Sequence, residues 1–259
     1  MIDFLKNISN IIEEGIQEPK FKKMAQFYHI NGYKRIYLIH IRKTGGTSLN
    51  IMFLSLGQGD PGAFYNELAD SSSHRLMRDG KIFVGWNIRL INKGHYYYAF
   101  SHEPLHAINL PPDTFTITCF RDPLKRVLSH YNMLMDYAVN KVPHPCMETE
   151  GEWLGNSFED FMERIPPAHL LNQLYMFSAR FDVKEAFENI KKVSHCFFTE
   201  HFREGVDELN ARLGLKLEPV HIRKASYSTG IPEKSLSTLR ERLEKEYELM
   251  ELVKSLKNG

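Results

Sequence analysis

Three observations predict an α/β fold with a central, mostly parallel sheet between helical layers. Strand-like apolar runs recur along the chain at 36–41, 81–86, 95–100, 114–120 and 195–199. Helix-patterned segments fall between most of them, the alternation from which parallel sheets are built. The 259 residues, 42% hydrophobic and 25% charged, are enough for one sizeable core. A single domain over 1–259 is therefore expected, with 1–33 as a helical segment packed on it.

The elements follow in order. Met1, Phe4, Leu5, Ile8, Ile11 and Ile12 recur at helical spacing, interrupted by Asp3, Lys6, Glu13 and Glu14. This predicts an amphipathic helix rather than a secretory leader. No run reaches the roughly 18 apolar residues of a membrane span. A soluble, cytoplasmic protein without an integral membrane segment is the expectation. Ile36–Ile41 reads as a buried strand; Leu49, Ile51, Met52, Phe53, Leu54 and Leu56 then carry a helical pattern. Gln58–Gly80, rich in Gly, Asp, Ser and Asn, reads as a loop shaping a substrate pocket. Strands are expected at Lys81–Trp86, His95–Phe100 and Thr114–Phe120. Asp122 as N-cap and Pro123 as first helical residue predict a helix running to about Val139. Helices follow over Phe158–Arg164, Pro167–Phe177 and Val183–Val193, a strand over His195–Thr199, and a helix over Phe202–Leu213 closed by Gly214. A charged helix over Glu233–Leu256, with many i,i+4 ion pairs, ends the pattern.

Charge and cysteine usage narrow the function. A net charge of +1 supplies no global basic field for nucleic acid. The three cysteines, Cys119, Cys146 and Cys196, form neither a disulfide framework nor a zinc-ligand spacing, and suit a reducing compartment. No metal is expected to be required. Monomer and homodimer both remain open.

The chemistry concentrates where strands end. After Ile41 come Arg42, Lys43, Thr44, Gly45, Gly46, Thr47 and Ser48, then a helix. A strand, a glycine turn and a helix N-terminus make an anion cradle, because unpaired N–H groups and the helix dipole point at the same spot and Lys43 adds a full charge. G-x-x-x-x-G-K-[ST] places its lysine after the second glycine, whereas Lys43 precedes both, and G-x-G-x-x-G is absent from the turn. Arg121 leaves the fourth strand at the same sheet edge, and Ser129 lies about two helical turns further on. His102 ends the third strand on that edge, where an imidazole can accept a proton at neutral pH.

Residues 42–48 resemble the 5′-phosphosulfate loop of the sulfotransferases that use 3′-phosphoadenosine 5′-phosphosulfate (PAPS). Phe120-Arg121-Asp122-Pro123, with Arg126, Ser129 and Tyr131 at the following spacings, resembles that family's 3′-phosphate-binding segment. Asn172-Gln173, Phe197-Phe-Thr-Glu200 and Leu213-Gly214 look like its later landmarks. His221-Ile-Arg223-Lys224 before a charged helix is similar to the end of the heparan sulfate 2-O-sulfotransferase-like branch. The resemblance implies a P-loop-type three-layer α/β/α fold and transfer of a sulfuryl group from PAPS to a hydroxyl or amine. The acceptor it implies is a small-molecule natural product or a saccharide. By the same resemblance Arg42 to Ser48 hold the 5′-phosphosulfate, Arg121 and Ser129 the 3′-phosphate, and Arg223 and Lys224 a closing basic loop. His102 becomes the base, although Phe100 stands where the 2-O-transferring branch carries a second histidine. Glu103 and His106 are fallback bases or acceptor contacts. Trp86 and Tyr97, with Tyr96 and Trp153, are candidates to line the acceptor pocket. Two other readings stay open: a P-loop kinase using ATP and magnesium, and a non-catalytic nucleotide-binding scaffold.

Overall fold

A computed structural model describes residues 18–220 and 230–256. Residues 18–26 are helical and lead to β1 (Arg35–Ile39), every residue of which is buried. α1 (Gly46–Leu54) opens on Gly45, whose left-handed φ of 84° a glycine adopts without strain. The next stretch departs from the loop expected over Gln58–Gly80. It holds α2 (Pro61–Asp70) and the edge strand β2 (Arg75–Arg78). The Asp60 carboxylate accepts from the Ala63 N–H, Pro61 begins the helix, and Phe64 and Leu68 bury one face. A start signal and an i,i+4 pair thus outweigh a loop-like composition.

β3 (Lys81–Gly85) follows, then α3 (Ile88–Lys93), a short helix the pattern did not predict, capped by Asn87 and ended by Gly94 at φ 72°. β4 (Tyr98–Ser101) and β5 (Thr114–Phe120) are shorter than or equal to the runs expected. α4 (Pro123–Val139) starts as predicted, the Asp122 carboxylate accepting from the Lys125 N–H at 2.8 Å. Single turns at Cys146–Thr149 and Gly151–Trp153 precede α5 (Phe158–Arg164). The helix expected over Pro167–Phe177 is two turns, Pro167–Leu170 and Asn172–Tyr175, broken at Leu171 (φ −102°, ψ 47°). α6 (Val183–Ile190), β6 (His195–Phe198) and α7 (Phe202–Leu213) come next, and Gly214 ends α7 at φ 65°. The last predicted helix is also two: α8 (Glu233–Arg242) and α9 (Glu244–Ser255), divided at Leu243 (φ −97°, ψ 6°). Leu243 is fully buried and the Arg242 guanidinium donates to the Met162 carbonyl, so the chain bends to keep both helices packed.

The sheet order is β2-β3-β4-β1-β5-β6. All pairings are parallel except β2 with β3, at the edge. The fold is thus α/β with a mostly parallel sheet. From β1 the chain moves out to the edge strand β2, returns through β3 and β4, and crosses β1 to β5 and β6. Connections leave β1 and β5 toward opposite sides, so the carboxyl ends of these neighbours form the crevice where open α/β sheets bind ligands.

Each sheet face has its own core. Ile36, Leu38, Phe83 and Ile117 pack with Leu49 and Phe53 of α1, Phe64 of α2 and Val206 of α7. Tyr37, Ile39, Val84 and Phe120 pack on the other face with Ile91, Ala186, Leu249 and Val253 from α3, α6 and α9. A third cluster, Val127, Leu134, Trp153, Phe161, Leu239 and Leu243 among its members, is built without strand residues from α4, α5, α8 and the turns between them. It stands beside the sheet and faces the crevice through α4.

Candidate functional site

The predicted cradle lies at the carboxyl end of β1. Leu49 N–H bonds to the Gly45 carbonyl at 3.2 Å, the first bond of α1. The N–H groups ahead of it are those a helix N-terminus leaves without intrahelical partners. Lys43 is left-handed at φ 67°, an uncommon conformation for a residue with a Cβ and one that clusters at ligand-binding turns. Its ammonium reaches to Met133 Sδ of α4 at 3.2 Å. Thr44 is buried and its hydroxyl donates to the Ile41 carbonyl at 3.0 Å, so this side chain shapes the turn. Thr47 and Ser48 are partly exposed in the first turn of α1.

Gly46 has a specific reason to lack a side chain. A Cβ there would lie 1.9 Å from His40 Cδ2 and 2.0 Å from Nε2. The His40 ring is buried against it and sits 4.2 Å, centroid to centroid, from the ring of His102. Asn50 of α1 faces His40 Nδ1 at 3.5 Å and accepts from the Tyr98 hydroxyl at 2.7 Å. His102 follows β4 directly, and its Nδ1 lies 2.8 Å from the His40 carbonyl. A carbonyl only accepts, so neutral His102 carries its proton on Nδ1 and presents a bare Nε2. Burial, reinforced by the positive charge of Arg42, lowers its pKa to about 4. The ring is therefore an unprotonated hydrogen-bond acceptor at neutral pH.

Arg121 leaves β5 beside the cradle, as expected, and its guanidinium donates to the Lys43 carbonyl at 3.1 Å. Burial lowers the Arg121 pKa, with Glu200 and Asp122 opposing the shift. Ser129 is partly exposed two turns along α4. A clamp that sequence reasoning did not assign to the site joins the two segments. Asn172 Oδ1 accepts from the Arg42 N–H at 3.1 Å. The Gln173 amide bonds Arg121 twice, accepting from its N–H at 2.9 Å and donating to its carbonyl at 3.0 Å. Gln173 is wholly buried and held in turn by Glu246, which accepts from the Gln173 N–H at 2.7 Å and lies 3.7 Å from Arg126 Nε. The only signal for this clamp was the adjacent Asn-Gln pair.

A second group went unrecognised. The Glu150 carboxylate, 2% exposed, binds Arg42 NH1 through one oxygen and His130 Nε2 through the other, both at 2.7 Å. Burial works against the Glu150 charge, but the His130 hydrogen bond and the nearby positive charges outweigh it and hold the pKa below its ordinary value. Burial lowers the His130 pKa, leaving a neutral ring that donates from Nε2. His169, whose pKa is lowered to about 4 by burial and Arg42, lies 6.2 Å from the His130 ring and 4.7 Å from that of Trp153. The Nδ1 atoms of His130 and His169 are buried without a hydrogen-bond partner.

The remaining predicted residues divide. Trp86 caps the carboxyl end of β3 at φ 54°, 4.7 Å from the Phe100 ring, on the same sheet edge as His102. Glu103 and His106 are exposed beyond β4, and His106 packs edge-on against Tyr175 at 5.3 Å. Tyr96 and Tyr97 are not brought to the crevice. They precede β4, at the opposite edge of the sheet, where Tyr97 packs against Tyr28 and Phe83 and Tyr96 is fully buried. Trp153 is buried against His130 and His169 rather than lining an open pocket. Arg223, Lys224 and the helix expected from Met1 to Ile12 lie outside the described residues. Among the described residues no helix is long and apolar enough to cross a membrane, and no cluster of His, Cys, Asp and Glu is arranged to hold a metal ion. No protein-family model and no curated protein matches the chain.

Proposed function

We propose that the protein is a sulfotransferase that moves a sulfuryl group from PAPS to a hydroxyl or amine of a small-molecule or saccharide acceptor. One observation carries this reading: an anion cradle, a second basic segment bound directly to it, and an unprotonated imidazole converge on one sheet edge. Arg121 donates to the Lys43 carbonyl, and His102 is fixed on the His40 carbonyl three residues before Lys43. The residues present suit a nucleotide carrying phosphate at both ends. The α1 N-terminus and Lys43 fit the 5′-phosphosulfate, and Arg121 with Ser129 the 3′-phosphate.

Transfer forms one S–O (or S–N) bond to the acceptor and breaks the S–O bond to the 5′-phosphate. The acceptor proton passes to His102 Nε2, and the 5′-phosphate leaves with the bonding electron pair. Lys43 and the N–H groups of α1 stabilise the charge that grows on the leaving oxygen. A dianion in the cradle raises the proton affinity of His102 from its low resting value toward the operating pH. No step in this scheme needs a metal. The kinase alternative would need a magnesium carboxylate beside the cradle; Asp122, the nearest sequence candidate, is engaged in capping α4.

Thermal denaturation with adenosine 3′,5′-bisphosphate (PAP), the expected product, tests the proposal against ADP and against ATP with magnesium. At about 100 times Kd binding adds roughly 2.7 kcal/mol, which for a domain of this size raises Tm by about 5–10 °C. A rise with the bisphosphate alone, unaffected by chelator, is the expected result. A rise only with ATP and magnesium would replace the proposal with a kinase, and no rise with any of them with a scaffold.

A further inference from the structure

We propose that Glu150 is a positioning residue for the base His102, holding Arg42 through one carboxylate oxygen and His130 through the other so that the charge beside the imidazole is fixed. The inference rests on the reading of His102 as the base and adds a residue to that site. Three observations carry it. First, His40 to Arg42 is one short stretch with a role at each end: the His40 carbonyl binds His102 Nδ1 and sets its tautomer, and Arg42, two residues on, carries the charge that acts most strongly on that ring. Second, Arg42 is anchored twice, its N–H on Asn172 and its side chain on Glu150. Third, Glu150 is almost wholly buried and both of its oxygens are engaged, so its negative charge cannot be relaxed by solvent.

The groups that act on His102 come from four segments. The His40 ring packs at a tilt against it just after β1, while Arg42 from the turn, His130 from α4 and Glu150 from the segment after Cys146–Thr149 act on it through their charge. Arg42 disfavours protonation of the ring and Glu150 favours it. With Arg42 alone, the imidazole would be pushed further from the proton affinity a base needs near neutrality. Glu150 offsets that charge and holds the guanidinium at 2.7 Å. His130 completes the arrangement as a neutral donor, since a cation there would add to the charge that Glu150 has to offset.

The test needs no acceptor. Histidines labelled with 13C at Cε1 are titrated by NMR in the whole protein, alone and with saturating adenosine 3′,5′-bisphosphate. The His102 resonance is assigned from its loss in His102→Ala. Glu150→Gln keeps shape and removes charge, and should move the His102 midpoint down; Arg42→Gln should move it up. Each shift should be about half a pH unit or more. The double variant should return close to the parent value. A role confined to packing would alter stability and leave the midpoint in place. If neither single variant moves the midpoint, the inference is overturned. If Glu150→Gln does not fold, Arg42→Gln decides alone, because this arginine is partly exposed and a fall or no change contradicts the assigned signs. Indifference of the His102 resonance to the bisphosphate would instead count against the nucleotide site, whatever the variants do.

Discussion

Gly46→Ala sets two effects of opposite sign against each other. Gly46 has helical geometry in the first turn of α1, and alanine in a helix is favoured over glycine by roughly 0.5–1 kcal/mol. The new Cβ, however, would fall 1.9 Å from His40 Cδ2, well inside contact distance. The ring cannot easily yield, since it is buried, packed at a tilt against His102 at 4.2 Å and faced by Asn50. Overpacking of this kind costs about 1–3 kcal/mol, the upper part of which exceeds the propensity gain. A net loss of about 1–2 kcal/mol lowers Tm by about 2–8 °C in a domain of this size. Thermal denaturation of a double-mutant cycle gives the decisive comparison. In a His40→Ala background the clash is gone, so Gly46→Ala should be neutral or slightly stabilising there, a coupling of at least about 1 kcal/mol. Equal effects in both backgrounds would refute the assignment of Gly46 to ring clearance.

Two further outcomes follow from the site. Arg121→Ala should weaken adenosine 3′,5′-bisphosphate by about 10- to 100-fold, the value of a lost charge-assisted contact, while ADP changes little; calorimetry showing equal losses for both ligands would contradict the 3′-phosphate role. The lowered pKa values of His102 and His169 make stability depend on pH. Their contribution is complete above about pH 6.5 and is lost as pH falls from there through about 4, because the unfolded chain takes up protons first. At pH 5 each should cost on the order of 1–2 kcal/mol relative to pH 7.5. A His102→Asn, His169→Asn protein should have a flatter Tm profile over that range, and an unchanged slope would sink the assignment.

Much of the architecture could be read locally. Asp122-Pro123 begins α4 where expected because both signals act within one turn. The equivalent signal at Asp60-Pro61 acts in the fold but is masked in the sequence by the glycine- and serine-rich composition around it, which hides α2 and β2. The breaks at Leu171 and Leu243 have no Gly or Pro to announce them; tertiary packing imposes them on segments whose own preference is continuous helix. The placement of residues 42–48, Arg121 and His102 on one sheet edge was legible because each sits where a strand-like run ends. Glu150, His130 and Gln173 were not. They come from three remote segments, and ordinary polar residues acquire meaning only when the fold brings a partner to them. Tyr97 illustrates the reverse, an aromatic near a strand that lies at the wrong end of it.

Adjacent residues 172 and 173 hold the main chains of Arg42 and Arg121. The separation of the two basic segments is thereby set by a single peptide unit, which works as a caliper. Its jaws cannot spread or close without breaking hydrogen bonds in a buried, Glu246-backed site. Under the proposed function, anions spaced to the jaws would engage both segments at once and shorter or longer ones only one, so length would be measured before charge is counted.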